Sequence, residues 1–166
     1  MDAKIHLRFA QKEDMPEVLR LIQELADFEK EPDAVELSLS ELEKDGFSTP
    51  KRFDCLLAEM DQKVVGMALY YPRYSTWKGA TLHLEDLIVS NAYRGKGVGT
   101  ALYTAFLSEA KKQNVRRVEW VVLDWNTPAI NFYESSGAKV LQDWKTVQMD
   151  QETINKYIEN NSNENI

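Results

Sequence analysis

The 166-residue sequence predicts an α/β protein of the α+β kind, with one mixed, largely antiparallel sheet flanked by helices. Three observations carry this. Apolar side chains alternate in several short runs, "KIHLRFA", "FDCLLAEM", "VVGMALYYPRY" and "ATLHLEDLIV", with the two-residue period of strands. Val18, Leu21, Ile22, Leu25 and Phe28 recur at helical spacing instead. The order of elements, several strands first and then strand–helix–strand–helix–strand, suits a single mixed sheet.

Taken in order, "KIHLRFA" is the opening strand. Asp14, followed by Met15 and Pro16, is a helix N-cap with proline in the first turn, and the helix should run to about Glu29. A shorter helix is expected in "SLSELEKDGF", capped by Ser38 or Ser40 and ending near Gly46. "FDCLLAEM", the turn "DQK" and "VVGMALYYPRY" form a hairpin. "ATLHLEDLIV" is the next strand, and a glycine-rich turn leads from it into the amphipathic "ALYTAFLSEAKKQ". "RRVEWVVL" should be a strand and "TPAINFYESSG" a short helix, opened by Asn126 and Pro128 and closed by Gly137. A last strand in "AKVLQDWKTVQM" and a helix in "DQETINKYIE" complete the map. With no repeat and no linker, one domain is expected over 1–159 and a flexible polar tail over 160–166.

Composition narrows the function classes. A hydrophobic fraction of 43% and a charged fraction of 28% are those of a globular domain. No apolar run is long enough to span a bilayer, and "MDAKIHLRF" lacks signal-peptide architecture, so a cytoplasmic protein without a membrane partner is expected. The net charge of -7 argues against a nucleic-acid partner, which calls for a basic surface. One cysteine and two histidines make neither an internal disulfide nor a usual zinc site, so no metal is expected. Cys55 reads as a buried small hydrophobe. Asp27, Glu29, Glu31, Asp33, Glu36, Glu41, Glu43 and Asp45 face only Lys30 and Lys44 in one segment. That segment is either a solvated helix end and loop or an electrostatic funnel for an amine.

"YRGKGVGT" raises the sharpest question, because three alternating glycines suit neither a helix nor a strand. A glycine turn that opens a helix exposes N–H groups to an anion, usually a phosphate. The spacing does not fit a Walker A loop. It fits poorly to a dinucleotide fingerprint, which also belongs in an N-terminal βαβ unit. The pattern Arg/Gln-x-x-Gly-x-Gly/Ala does fit, filled by Arg94, Gly97 and Gly99.

With "LEDLIV" before that turn and "DWNTPAINFYESSGA" after it, nearly the whole chain resembles the GNAT N-acetyltransferase superfamily. Within it the likeness is greatest to the diamine (spermidine/spermine) and thialysine N-acetyltransferase branch. The stretches that carry it are "LRLIQELADFE", "DGF", "ALYYPRYSTWKGATLHLEDLIV", "YRGKGVGTALY" and "WNTPAINFYESSGAK". The resemblance implies a single GNAT-like domain, a sheet splayed between the "LEDLIV" and "VEWVVL" strands, and acetyl-CoA as donor in the gap. It also implies a small cationic amine as acceptor, polyamine or diamine, with thialysine, a related amino acid or a peptide amine as the alternative. A homodimer, often paired through the C-terminal strands, is the usual assembly. A non-catalytic acyl-CoA sensor would need only the turn.

Acetyl transfer needs the amine as its free base, about one part in a thousand at neutral pH for an alkylamine, a deficit of roughly 4–5 kcal/mol. It also needs a proton for the departing thiolate. The resemblance assigns Tyr133 as the acid and Glu85 to the amine, as anchor or base, with Asp86 beside it. Leu87, Ile88 and Val89 would offer backbone groups to the cofactor. Arg94, Gly95, Lys96, Gly97, Val98, Gly99 and Thr100 would wrap its pyrophosphate, and Asn126 would meet it farther along or simply cap its helix. Acceptor contacts fall on Phe28, Glu29, Trp77, Glu119, Trp120 and Val121. Ala80 stands where a lysine is common in the branch.

Overall fold

The computed structural model describes residues 4–161. Their contacts group into two units, divided between Leu123 and Asp124.

The first unit holds a five-stranded sheet in the order β1–β2–β3–β4–β5. Its strands are β1 (His6–Phe9), β2 (Asp54–Met60), β3 (Lys63–Ser75), β4 (Gly79–Val89) and β5 (Val118–Glu119). The first four pair antiparallel and β5 joins β4 in parallel. This open sheet is the mixed, largely antiparallel one expected.

Two apolar layers cover the sheet, because each strand sends alternate side chains to opposite faces. On one face Leu57, Met67, Leu69 and Ile88 pack against helix α1 (Met15–Phe28) and helix α2 (Leu39–Phe47) through Met15, Val18, Leu21 and Leu42. On the other, Leu56, Ala58, Ala68, Tyr70, Leu82 and Leu84 meet helix α3 (Val98–Lys112) at Val98, Leu102 and Phe106. Each large side chain so buried contributes about 1.5–3 kcal/mol. Cys55 lies in the first layer, and burial raises its thiol pKa well above the usual range.

Local sequence sets the helix starts. Ser38 caps α2, its Oγ accepting from the Glu41 N–H at 3.3 Å while Glu41 accepts from the Ser38 N–H at 2.9 Å. Asp14 precedes α1 without capping that helix, its carboxylate accepting from the Gln11 N–H at 2.7 Å. The same carboxylate pairs with the guanidinium of Arg8 at 2.6 and 2.8 Å.

The second unit carries α4 (Thr127–Ser135) and α5 (Gln151–Asn161). Two expectations change here. The strand expected in "RRVEWVVL" is only the two-residue β5. No strand forms in residues 138–149, where Leu141, Trp144, Val147 and Met149 are exposed. Alternating apolar residues become a strand only beside a hydrogen-bonding neighbour, and among the described residues these have none. Helix α5 reaches Asn161, two residues into the expected tail, and 162–166 lie outside the described residues.

Candidate active site

An irregularity in β4 builds the site. Asp86 stands opposite Leu69 and Leu84 opposite Tyr70, so Glu85 is an extra residue without a partner on β3. Such a bulge bends the strand and re-aims the side chains around it. His83 and Asp86, three residues apart, consequently share the α1/α2 face of the sheet, which a regular strand would not allow.

That face is apolar under α1 and turns polar beyond the helix end. The Tyr71 hydroxyl donates to Glu85 Oε2 at 2.7 Å, and the Tyr71 ring stacks on His83 with centroids 5.2 Å apart. His83 Nε2 stands 3.5 Å from the same Glu85 oxygen. Asp86 is the more enclosed carboxylate: burial, then the charges of Glu85 and Glu29, raise its pKa from 3.8 to about 7. Glu29, just past the end of α1, is raised by burial. Glu29, Glu85 and Asp86 therefore form one acidic group, in which the first two charges disfavour the ionisation of Asp86.

Beside it lies a charged trio. Glu119 pairs with Arg73 through Oε1 and with Arg117 through Oε2, the latter at 3.0 Å. Glu119 is the register partner of His83, and Arg73 that of Thr81, so the trio extends the same face along β4.

The outer edge of β4 is open. Pairing with β5 is confined to Leu82–Val118 and His83–Glu119. Beyond that, residues 84–89 have no strand on this side among the described residues. The two strands part where a splayed sheet was expected to part, and the Leu87, Ile88 and Val89 backbone lies along the opening.

From Val89 the chain enters the glycine turn. Gly95 and Gly97 have φ of 73° and 82°, left-handed conformations that cost other residues about 1–2 kcal/mol. Gly97 is the N-cap of α3, and no side chain caps that helix. The first-turn N–H groups and the helix dipole thus point at one anion position. Arg94 donates from Nε to the Val89 carbonyl at 3.0 Å and lays its guanidinium 4.9 Å from the Phe28 ring centre. Lys96 sits over Tyr93. Glu24 of α1 holds the turn's entry, accepting from Ser90 Oγ at 2.8 Å and from the Asn91 N–H at 2.9 Å.

The sequence-expected residues separate accordingly. Glu29, Glu85, Asp86 and Glu119 share a face, and Phe28 lies beneath Arg94. Trp120 turns to the opposite layer, edge-on to Tyr103 at 5.8 Å. Trp77 is 79% exposed at the tip of the β3–β4 hairpin, and Val121 is 70% exposed past the last pair of β5. In the second unit, Asn126 caps α4 by accepting from the Ala129 N–H at 3.3 Å. Tyr133 lies half-buried on that helix with Phe132 edge-on to it.

Sequence reading passed over Tyr71, Arg73, His83, Arg117 and Glu24. The alternation of β3 puts Tyr71 and Arg73 on the face of Met67 and Leu69, a signal that could have found them. The acidic segment resolves into separate roles. Asp27 accepts from Gln23, Glu41 belongs to a cap, Glu43 pairs with Lys12, and Glu29 reaches the site.

A bulged strand with an open edge leads into an uncapped, glycine-started helix, and so sets an anion position beside a free strand edge. The chain belongs to the acetyltransferase (GNAT) family, whose model matches residues 16–138, and enzymes of this family use acetyl-CoA as donor. It is 38% identical to the thialysine N-epsilon-acetyltransferase of Bos taurus over 147 residues, 84% of this chain and 86% of the relative. It is 39% identical to the human spermidine/spermine N(1)-acetyltransferase-like protein 1 over 139 residues, 80% of this chain but 20% of that protein. Among solved structures, an integron cassette protein from the mobile metagenome of V. cholerae shares the fold with a TM-score of 0.76 at 24% identity, covering 95% of this chain and 98% of that one.

Proposed function

We propose that this GNAT acetyltransferase moves the acetyl group of acetyl-CoA directly onto a primary amine of a small molecule, with no acyl-enzyme intermediate. The observation that carries the reading is β4 itself, which runs from paired carboxylates at a bulge, along an open edge, into the anion-binding turn. The thioester would lie along 87–89, with the pyrophosphate on the N–H groups of 95–100.

Glu85 holds the incoming ammonium. Asp86 takes its proton, because a base is most effective when its pKa lies near the working pH. The nitrogen lone pair then forms the N–C bond, the C–S bond breaks, and Tyr133 protonates the departing thiolate, while the second proton shed by the acylated nitrogen returns to the Tyr133 phenolate through solvent. A phenol of pKa about 10 is the right acid for a thiol near 8.5. Direct transfer is supported by Cys55, the sole cysteine, which is buried with its thiol held protonated. The acceptor expected from the sequence is a polyamine or diamine, and lysine-like amino acids are the second reading, favoured by Arg73 and Arg117. Phe28, Glu29, Trp77, Glu119 and Val121 remain the acceptor's proposed surroundings, without Trp120, which turns to the opposite layer, and Asn126 a cofactor contact. A cytoplasmic homodimer is part of the same reading, its dimer resting on the family resemblance.

The test is thiol release from acetyl-CoA with spermidine, spermine, putrescine, thialysine, lysine and a peptide. Turnover on at least one amine, reduced about 10²–10⁴-fold in Tyr133→Phe, is the expected result. Full activity in Tyr133→Phe removes the acid assignment, and acetyl-CoA binding without turnover on any amine returns the sensor reading.

A further inference from the structure

We propose that Tyr71 is a positioning residue for the transfer: its hydroxyl occupies one oxygen of Glu85, so that the acceptor ammonium is held through the other oxygen alone, beside Asp86. The proposal rests on the reading of Glu85 as the ammonium anchor and Asp86 as the base.

Glu85 calls for such a device. It is the unpaired residue of the bulge, its side chain is 51% exposed, and the torsions of a glutamate are costly to fix. Among the described residues no lysine or arginine pairs with it, and Tyr71 is the one side chain that donates to it, at 2.7 Å. His83 Nε2 stands 3.5 Å from the same oxygen, beyond an ordinary hydrogen bond.

Tyr71 is itself well held. It is the register partner of His83 across β3 and β4, and the two rings lie 5.2 Å apart with planes 29° from parallel. Cross-strand pairs of this kind fix side chains that would otherwise wander. Burial, and then the bond to Glu85, raise the Tyr71 phenol to about 12. It therefore stays a donor throughout the pH range of an assay and keeps its own proton during the reaction.

Sharing Glu85 has a chemical consequence. The phenol draws carboxylate charge toward Oε2, so Oε1 grips an ammonium less tightly than an unshared carboxylate would. An ammonium gripped too well is slow to pass its proton to Asp86, and binding energy spent on that ground state does not speed transfer.

The competing reading is a half-buried tyrosine that merely finds a partner for its hydroxyl. Tyr71→Phe keeps the ring on His83 and removes the donor, whereas Tyr71→Leu removes both. With the amine of the panel above that is acetylated fastest, Tyr71→Phe should lower kcat about 10–100-fold, the value of a hydrogen bond to a charged group. KM for the amine should stay level or fall, and acetyl-CoA affinity should not change. In a Glu85→Gln background the same substitution should cost less than about twofold, because Tyr71 acts through Glu85. A raised KM at constant kcat overturns the proposal, as do effects that multiply. So does a Tyr71→Phe enzyme at the wild-type rate with only Tyr71→Leu impaired. A second readout needs no turnover: carboxyl-carbon NMR of glutamate-labelled protein, with the Glu85 signal assigned by its loss in Glu85→Gln. That signal should shift in Tyr71→Phe and move in the wild type when butylamine is added. No shift in either case overturns the proposal even in an active enzyme. Both shifts in a protein that acetylates no amine would sink the transferase reading and leave the Tyr71–Glu85 arrangement.

Discussion

Asp86 is held in the protonated form to about pH 7 by burial and by the charges of Glu85 and Glu29, against an ordinary value of 3.8. The sign of the consequence follows directly. Between those pH values the native state binds a proton that the unfolded chain releases, so stability is fully present below about pH 4 and lost as pH rises through 7. Asp86→Asn cannot ionise, and it should melt above the wild type at pH 8, by on the order of 2–4 kcal/mol, and level with it at pH 4. The same variant should lose the acidic limb near pH 7 in the kcat/KM profile. A variant that melts lower at pH 8 and keeps the limb would place the base elsewhere. Legibility at this scale was mixed. The adjacent carboxylates in "LHLEDLIV" stood out in an apolar run, but their different ionisation depends on a bulge and on Glu29, fifty-six residues or more away in sequence. No local pattern carries that information.

The glycine turn was the most legible element, because its constraint is written in backbone conformation. Gly97 sits at φ 82° and a Cβ there would meet only Ile5 Cδ1 at 4.0 Å, so its requirement is conformational. Gly99 lies inside α3, where a Cβ would make ordinary contact with Val89 at 3.6 Å. Gly97→Ala should therefore cost about 1–2 kcal/mol and weaken acetyl-CoA binding at least tenfold. Gly99→Ala should keep both stability and binding, in accord with the Gly/Ala freedom of the motif. Urea unfolding and acetyl-CoA titration read the two, and equal losses in both variants would contradict the account. The polar face of β3 and β4 was less legible. Tyr71, Arg73 and His83 acquire meaning only through register, and register is a property of two strands.

Across the molecule, the order of motifs conveyed the fold class before any contact was known, because a glycine turn, its preceding strand and its following helix occur together. The C-terminal region did not follow its pattern. Residues 138–149 have strand-like sequence and no strand, since pairing requires a neighbour. If the chain dimerises through this segment, amide protection in 138–149 should rise with protein concentration in step with the dimer population from sedimentation. Fast exchange at every concentration, with a dimer present, would move the interface elsewhere.

The most direct test of the central claim is a single-turnover mixing of excess enzyme with acetyl-CoA, before and after addition of an amine that turns over. Direct transfer predicts no thiol burst and an unchanged protein mass without the amine, then equal amounts of thiol and acetylated amine once it is added. A stoichiometric thiol burst with an acetylated protein before the amine is present would contradict it.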